Sequence, residues 1–204
     1  MANKGILLVI SGPAGSGKGT VVKILKATEQ FACSVSATTR APRPGEVNDV
    51  DYHFITQEAF KERIEKGEML EYTSYCGNYY GTVLSEAMQT LESGQNLILE
   101  IEVEGAQNVK RLYPDAVLIM LLPPSFAVQE KRLRGRGTET EDKIKARLAR
   151  AKEELKLLDR YDYVVYNRDG CELDCANDIM AIVRSEACAV RRHPTASTAY
   201  FENN

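Results

Sequence analysis

The stretch ISGPAGSGKGT, residues 10–20, decides the fold. Gly12, Gly15 and Gly17 allow backbone angles that side chains forbid, so successive N–H groups can turn toward one anion. Lys18 adds a full positive charge beside them. Upstream, Gly5–Ile10 (GILLVI) is short, branched and apolar throughout, the mark of a strand buried on both faces. Downstream, VVKILKA reads as a helix whose positive N-terminal end adds to the same cradle. Strand, glycine loop, lysine and helix in that order predict a phosphate-binding P-loop formed by Gly12, Pro13, Ala14, Gly15, Ser16, Gly17 and Lys18. Gly19 stands where that pattern asks for Ser or Thr. The hydroxyl of Thr20 follows one residue on, which predicts magnesium held through waters rather than by a side chain at position 19.

Further along the chain, buried apolar runs recur at Asn96–Ile101 (NLILEI), Ala116–Leu122 (AVLIMLL) and Tyr161–Tyr166 (YDYVVY), with helix-capable segments between them. Strands alternating with helices predict an α/β fold with a parallel sheet. Residues 34–82 break that alternation: they hold several short polar and aromatic strands and one clear helix around Gln57–Lys66, the pattern of an inserted lobe. Over 141–158, Ile144, Leu148, Ala151, Leu155 and Leu158 recur at steps of four and three, one apolar stripe on a long helix that packs on its own sheet. After Arg184 the apolar rhythm fades, predicting a helix end and a loosely held tail.

Composition narrows the class. The chain has 204 residues, 44% hydrophobic and 27% charged, enough for one domain carrying an inserted lobe. No apolar run reaches membrane-spanning length, and the start lacks the pattern of a secretory leader, so a cytoplasmic protein without a membrane partner is expected. Five cysteines at irregular spacings suit reduced thiols better than a disulfide framework, and no residue is assigned as a metal ligand. A formal net charge of −3 argues against a surface built for nucleic acid.

SVSATTRAPRPGE, residues 34–46, has neither a helical nor a strand rhythm, and Pro42 and Pro44 exclude a regular helix. Two arginines among hydroxyls in such a segment suit an anion, since a guanidinium fork matches phosphate oxygens and phenols such as Tyr52 and Tyr80 can donate to the rest. A GTPase would carry an Asn-Lys-x-Asp run after a late strand; Asn167-Arg168-Asp169 does not supply it.

SVSATTRAPRPGEVN, then Asp51-Tyr52, LEYTSYCGNYYGT and GRGTETE resemble guanylate kinase in order and spacing, and with the P-loop the resemblance covers residues 5 to about 184. It implies an α/β P-loop kinase with a parallel-sheet core (5–33, 95–124, 151–184), an inserted nucleotide-monophosphate-binding lobe (34–94), a short lid (125–150) and a tail (185–204). The implied reaction moves the terminal phosphoryl of ATP to GMP, and also dGMP, with magnesium. By resemblance Arg40, Arg43, Tyr52 and Tyr80 grip the GMP phosphate, while Glu71, Ser36 and Thr82 read guanine. Glu100 and Glu102 end a buried strand, and by resemblance Glu102 belongs to the GMP site, toward guanine or magnesium-bound waters; the family often has aspartate there, so Glu102 departs by one methylene. Lys18, Arg40, Arg136 and Arg147 are the expected catalytic cations, and Asn167 together with the P-loop through Gly19 and Thr20 the ATP contacts. Arg132, Arg134 and Arg150 are left out as solvated charge. Two rivals stay open: a scaffold of this fold without catalysis, and a kinase for another nucleoside monophosphate.

Overall fold

The computed structural model describes residues 4–75, 77–135, 137 and 140–202. Along the chain run β1 (Leu7–Ser11), α1 (Lys18–Lys26), β2 (Phe31–Cys33), β3 (Ser36–Thr38), β4 (His53–Phe54), α2 (Gln57–Glu65), β5 (Met69–Tyr75), β6 (Asn78–Val83) and α3 (Leu84–Glu92). There follow β7 (Asn96–Glu100), α4 (Val103–Leu112), β8 (Val117–Leu122), α5 (Phe126–Gly135), α6 (Glu141–Leu155), β9 (Tyr163–Tyr166), α7 (Glu172–Ala187) and α8 (Ala196–Glu202).

Among the described residues, β2-β7-β1-β8-β9 form a parallel sheet with β1 at its centre. All five side chains of β1 are buried because the sheet is covered on both faces. Ile6, Leu8 and Ile10 pack with Val21, Leu25 and Ile179 of α1 and α7. Leu7 and Val9 point the other way, among Ala87 and Leu91 of α3 and Ala106 and Val109 of α4. The alternation is the period-two geometry of a strand. It leaves the P-loop at the carboxyl end of the central strand, where open α/β sheets place their ligands.

A second sheet, β4-β3-β6-β5, forms the inserted lobe. It packs over a small core of Ala37, Phe60, Met69 and Val83, with Phe60 stacked on Tyr79 at 5.3 Å between ring centres. The β5–β6 register shifts between Met69 and Glu71. That bulge places Met69 in the lobe core and Leu70 in the main core, and pairs Glu71 with Thr82.

Several expected boundaries move. β9 begins at Tyr163 rather than Tyr161, because residues 158–160 form a 3-10 turn and Tyr161 folds back against Val103, Met120 and Leu122. The expected helix over 141–158 ends at Leu155: Ile144, Leu148 and Ala151 are buried along it, whereas Leu158 belongs to the turn and joins that same cluster. The segment after Arg184 is not loose throughout. α7 continues to Ala187, and its buried Glu186 accepts from Tyr163 at 2.6 Å and pairs with Arg191 and Arg192. Arg192 also donates to the Asp115 carbonyl at 2.8 Å, tying the segment to the sheet.

Candidate active site

The P-loop takes its shape from conformations that only glycine adopts easily. Gly17 has φ +86°, and a Cβ there would lie 2.2 Å from Asn167 Nδ2, so both backbone angle and space exclude a side chain. Asn167 Nδ2 donates to the Ser16 carbonyl at 2.8 Å, and Arg132 Nη1 reaches the Gly15 and Ser16 carbonyls, each at 3.3 Å. In a trans peptide the N–H points opposite to the C=O, so anchoring the Ser16 carbonyl to Asn167 turns the Gly17 N–H the other way. α1 begins at Lys18, adding its dipole, and Lys18 Nζ donates back to the Gly12 carbonyl across the loop.

On one side of the loop lies a cavity of about 340 Å³ lined by Gly15, Gly17, Thr20, Arg132, Gly135, Asn167, Asp169 and Glu172. Arg132 is fixed there by Asp169 at 2.6 Å and by the Asn167 carbonyl at 2.8 Å. Asn167 is 2% exposed, and its Oδ1 has no hydrogen-bond partner among the described residues. Pro13 and Ala14 sit on the inner turn: Gln129 Nε2 donates to the Ala14 carbonyl at 2.8 Å, and Ala14 packs on Leu133, Ile144 and Leu148 of α5 and α6. Gly19 is exposed, and a Cβ on it would stand 3.9 Å from Glu100 Oε1.

On the other side a cleft of about 310 Å³ opens between core and lobe. Its walls carry Lys18, Ser36, Tyr52, Glu71, Tyr80, Glu100, Glu102, Glu104, Gly105, Asn108 and Arg150. Ser36 and Thr82 are cross-strand partners on β3 and β6, so their side chains share one face. Thr82 Oγ1 donates to Glu71 Oε1 at 2.9 Å. Glu71 is only 6% exposed, and burial raises its pKa above the ordinary carboxylate value although Thr82 opposes the shift. A Cβ on Gly105 would lie 3.6 Å from Glu71 Oε2, so α4 covers this carboxylate closely through a glycine.

The phosphate-gripping candidates separate into two layers. Tyr52 and Tyr80 line the cleft, 6.3 Å apart at ring centres in an edge-on arrangement. Arg40 and Arg43 are not on its wall. Arg40 lies over the Tyr52 ring at 5.4 Å and pairs with Glu46. Arg43 is exposed, and its backbone N–H donates to Glu46 Oε2 at 2.7 Å.

Among the expected cations of 125–150, Arg136 lies outside the described residues, and Arg147 is exposed on α6 and lines neither cavity. Arg132 and Arg150, left out as solvated charge, are the arginines that line the two spaces. Arg150 joins Glu102 at 3.2 Å and Glu154 at 2.8 Å, so Glu102, at the cap of α4, faces a cation of α6. Its step of three from Arg147 puts Arg150 on a neighbouring part of the helix surface, a weak signal that the sequence did contain. Nothing local marks Arg132, because its partner Asp169 is 37 positions away. Among the described residues no helix is long and apolar enough to cross a membrane.

A family model described as guanylate kinase matches residues 4–183. A guanylate kinase of Halalkalibacterium halodurans is 50% identical over 190 residues, 93% of this chain and 92% of that protein. One from Clostridioides difficile is 48% identical over 191 residues, covering 93% and 92%. The crystal structure of guanylate kinase from Anaplasma phagocytophilum superposes with TM-score 0.71 at 31% identity, over 93% of this chain and 90% of that one.

Proposed function

The chain belongs to the guanylate kinase family, and from that premise we propose that it transfers the terminal phosphoryl of ATP to GMP or dGMP, giving ADP and the corresponding diphosphate, in the cytoplasm. One observation carries the assignment. Lys18 of the P-loop and the buried Glu71 bound the same 310 Å³ cleft, so an anion cradle and a base-reading carboxylate face one space.

ATP phosphates take the loop from Gly12 through Thr20, with Lys18 on their terminal oxygens and the nucleoside side in the cavity of Asn167 and Arg132. Guanine offers adjacent N–H donors and a carbonyl acceptor on its pairing edge. Glu71 accepts from those donors, and Ser36 and Thr82 complete the set, whereas adenine presents the opposite order and strands the carboxylate. Tyr52, Tyr80, Arg40 and Arg43 hold the acceptor phosphate. Both phosphates then lie along the cleft, and catalysis is alignment plus neutralisation of spreading charge. Arg147, Arg136 and Arg150 belong to the lid segment that closes on this charge, excluding water. Magnesium, a hard cation, suits the oxygen donors at hand: the Glu100 and Glu102 carboxylates on the cleft wall and the Thr20 hydroxyl, with glycine at 19 leaving room beside Glu100. When bound it neutralises the phosphate oxygens of ATP.

The test is ADP formation from ATP and magnesium with GMP, dGMP, AMP, CMP and UMP supplied singly. Turnover confined to the guanine pair is the expected result. No turnover with any acceptor means a non-catalytic scaffold, and a best rate with AMP means that Glu71 reads a different base.

A further inference from the structure

Glu46 closes the segment that carries the two phosphate arginines. Its Oε1 accepts from Arg40 Nη2 and its Oε2 from Arg40 Nη1, both at 2.9 Å, a two-point fork. Its Oε2 also accepts the Arg43 backbone N–H at 2.7 Å, while the Glu46 N–H donates to the Arg43 carbonyl at 3.0 Å. A four-residue turn, with Pro44 and Gly45 at its middle, is thereby locked to the guanidinium three residues before it. The pair is shielded: the Arg40 and Glu46 side chains are 16% and 19% exposed. Arg40 Nη1 also donates to the Ala41 carbonyl at 2.7 Å, and its flat face lies over Tyr52 and Phe54 at 5.4 and 5.7 Å. The guanidinium is held on its terminal edge and on its face. Nε and the second hydrogen of Nη2 lie on the remaining edge, which has the geometry to grip two phosphate oxygens.

We propose that Glu46 is a positioning residue for the acceptor nucleotide: its carboxylate fixes the Arg40 guanidinium and the Arg43 backbone so that their remaining donors meet the phosphate of GMP. This rests on the guanylate kinase assignment above. A carboxylate that merely occupied the arginine in place of phosphate would act in the opposite direction, as an internal competitor, so the sign of the effect decides between the two. Glu46→Gln keeps the shape but sets an amide N–H₂ against a guanidinium N–H, loosening the fork.

Steady-state kinetics on the full chain test this with four proteins: wild type, Glu46→Gln, Arg40→Ala and the double variant. The expected result is a KM for GMP raised about 10-fold in Glu46→Gln, with KM for ATP and the thermal midpoint unchanged. In the Arg40→Ala background the same substitution raises KM for GMP clearly less, since only the hold on the Arg43 backbone N–H remains to be loosened. A lowered KM for GMP, an unchanged KM, or the same rise without Arg40 each overturns the proposal. Equal losses toward ATP and GMP with a lower thermal midpoint assign Glu46 to stability alone and overturn it as well. A wild type inactive with GMP removes the kinase assignment and this inference together. An active wild type with an indifferent Glu46→Gln removes only the inference.

Discussion

Glu71 sits where water is nearly excluded, hydrogen-bonded to Thr82 and covered by the glycine of α4. Its charge is therefore costly in the empty protein, and under the proposed function it is useful when guanine supplies donors. Glu71→Gln is expected to raise KM for GMP about 10- to 100-fold, the range of a lost hydrogen bond to a charged group, while KM for ATP stays within about twofold; initial-rate kinetics in each substrate check this. The raised pKa adds a pH dependence. A carboxyl whose folded-state pKa lies above its unfolded value contributes stability at low pH, and that contribution is lost as pH rises through the folded value. Nucleotide-free Glu71→Gln should accordingly melt no lower than wild type at neutral pH. Conversely, kcat/KM for GMP should fall on acidification at a pH above the ordinary carboxylate value of 4.5, and the variant should lack that limb. The sequence could name Glu71 only through its surrounding motif. A lone Glu in a strand of mixed residues reads as exposed, because the helix that buries it begins 32 residues later.

At the scale of elements, glycine and histidine hold two junctions. Gly17→Ala forces a side chain into φ +86° and against Asn167, and is expected to cost about 1–3 kcal/mol and to weaken ATP binding more than GMP binding; denaturant titration with nucleotide titration checks both. His53 on β4 joins the loop at Asp49 (2.7 Å) to the first turn of α3 at Glu86 (3.0 Å). Burial alone would lower its pKa, but the two carboxylates outweigh it and raise the value above 6.5. The contribution is thus complete below pH 6.5 and fades as pH rises through the raised value. His53→Gln should lose about 1 kcal/mol near pH 6 and little at pH 9, read as a shift in urea midpoint at each pH. Elements with a strong local period were legible: β1, β7, β8 and α2 lie within two residues of their expected limits. The end of α6 was not, since the apolar stripe continues through Leu158 while the backbone has already turned to deliver that residue to the Val103 cluster. Periodicity records which side chains are buried, and a 3-10 turn can bury one as well as a helix can.

Across the whole molecule, the lobe and the sheet core share the cleft in which the proposed phosphoryl transfer takes place, and α5 and α6 reach the P-loop through Ala14 and Arg132. Adding ATP analogue and GMP together should compact the protein, seen as a smaller radius of gyration in solution scattering and slower amide exchange in 34–94 and 125–150, with neither change complete for one nucleotide alone. An unchanged radius with both bound would mean that the two phosphates meet without closure.

By itself the sequence determined the phosphate cradle, the parallel core and the existence of a lobe between them. Those depend on glycine spacing, strand-length apolar runs and turn residues, which act within a few positions of the chain. Only the tertiary structure decided which charges stand at the cleft and at the cavity beside it. Arg132 meets Asp169, Arg150 meets Glu102 and Glu71 meets α4 through contacts far apart in sequence, and whether a charged side chain is solvated or aimed at a site is set by what packs over it.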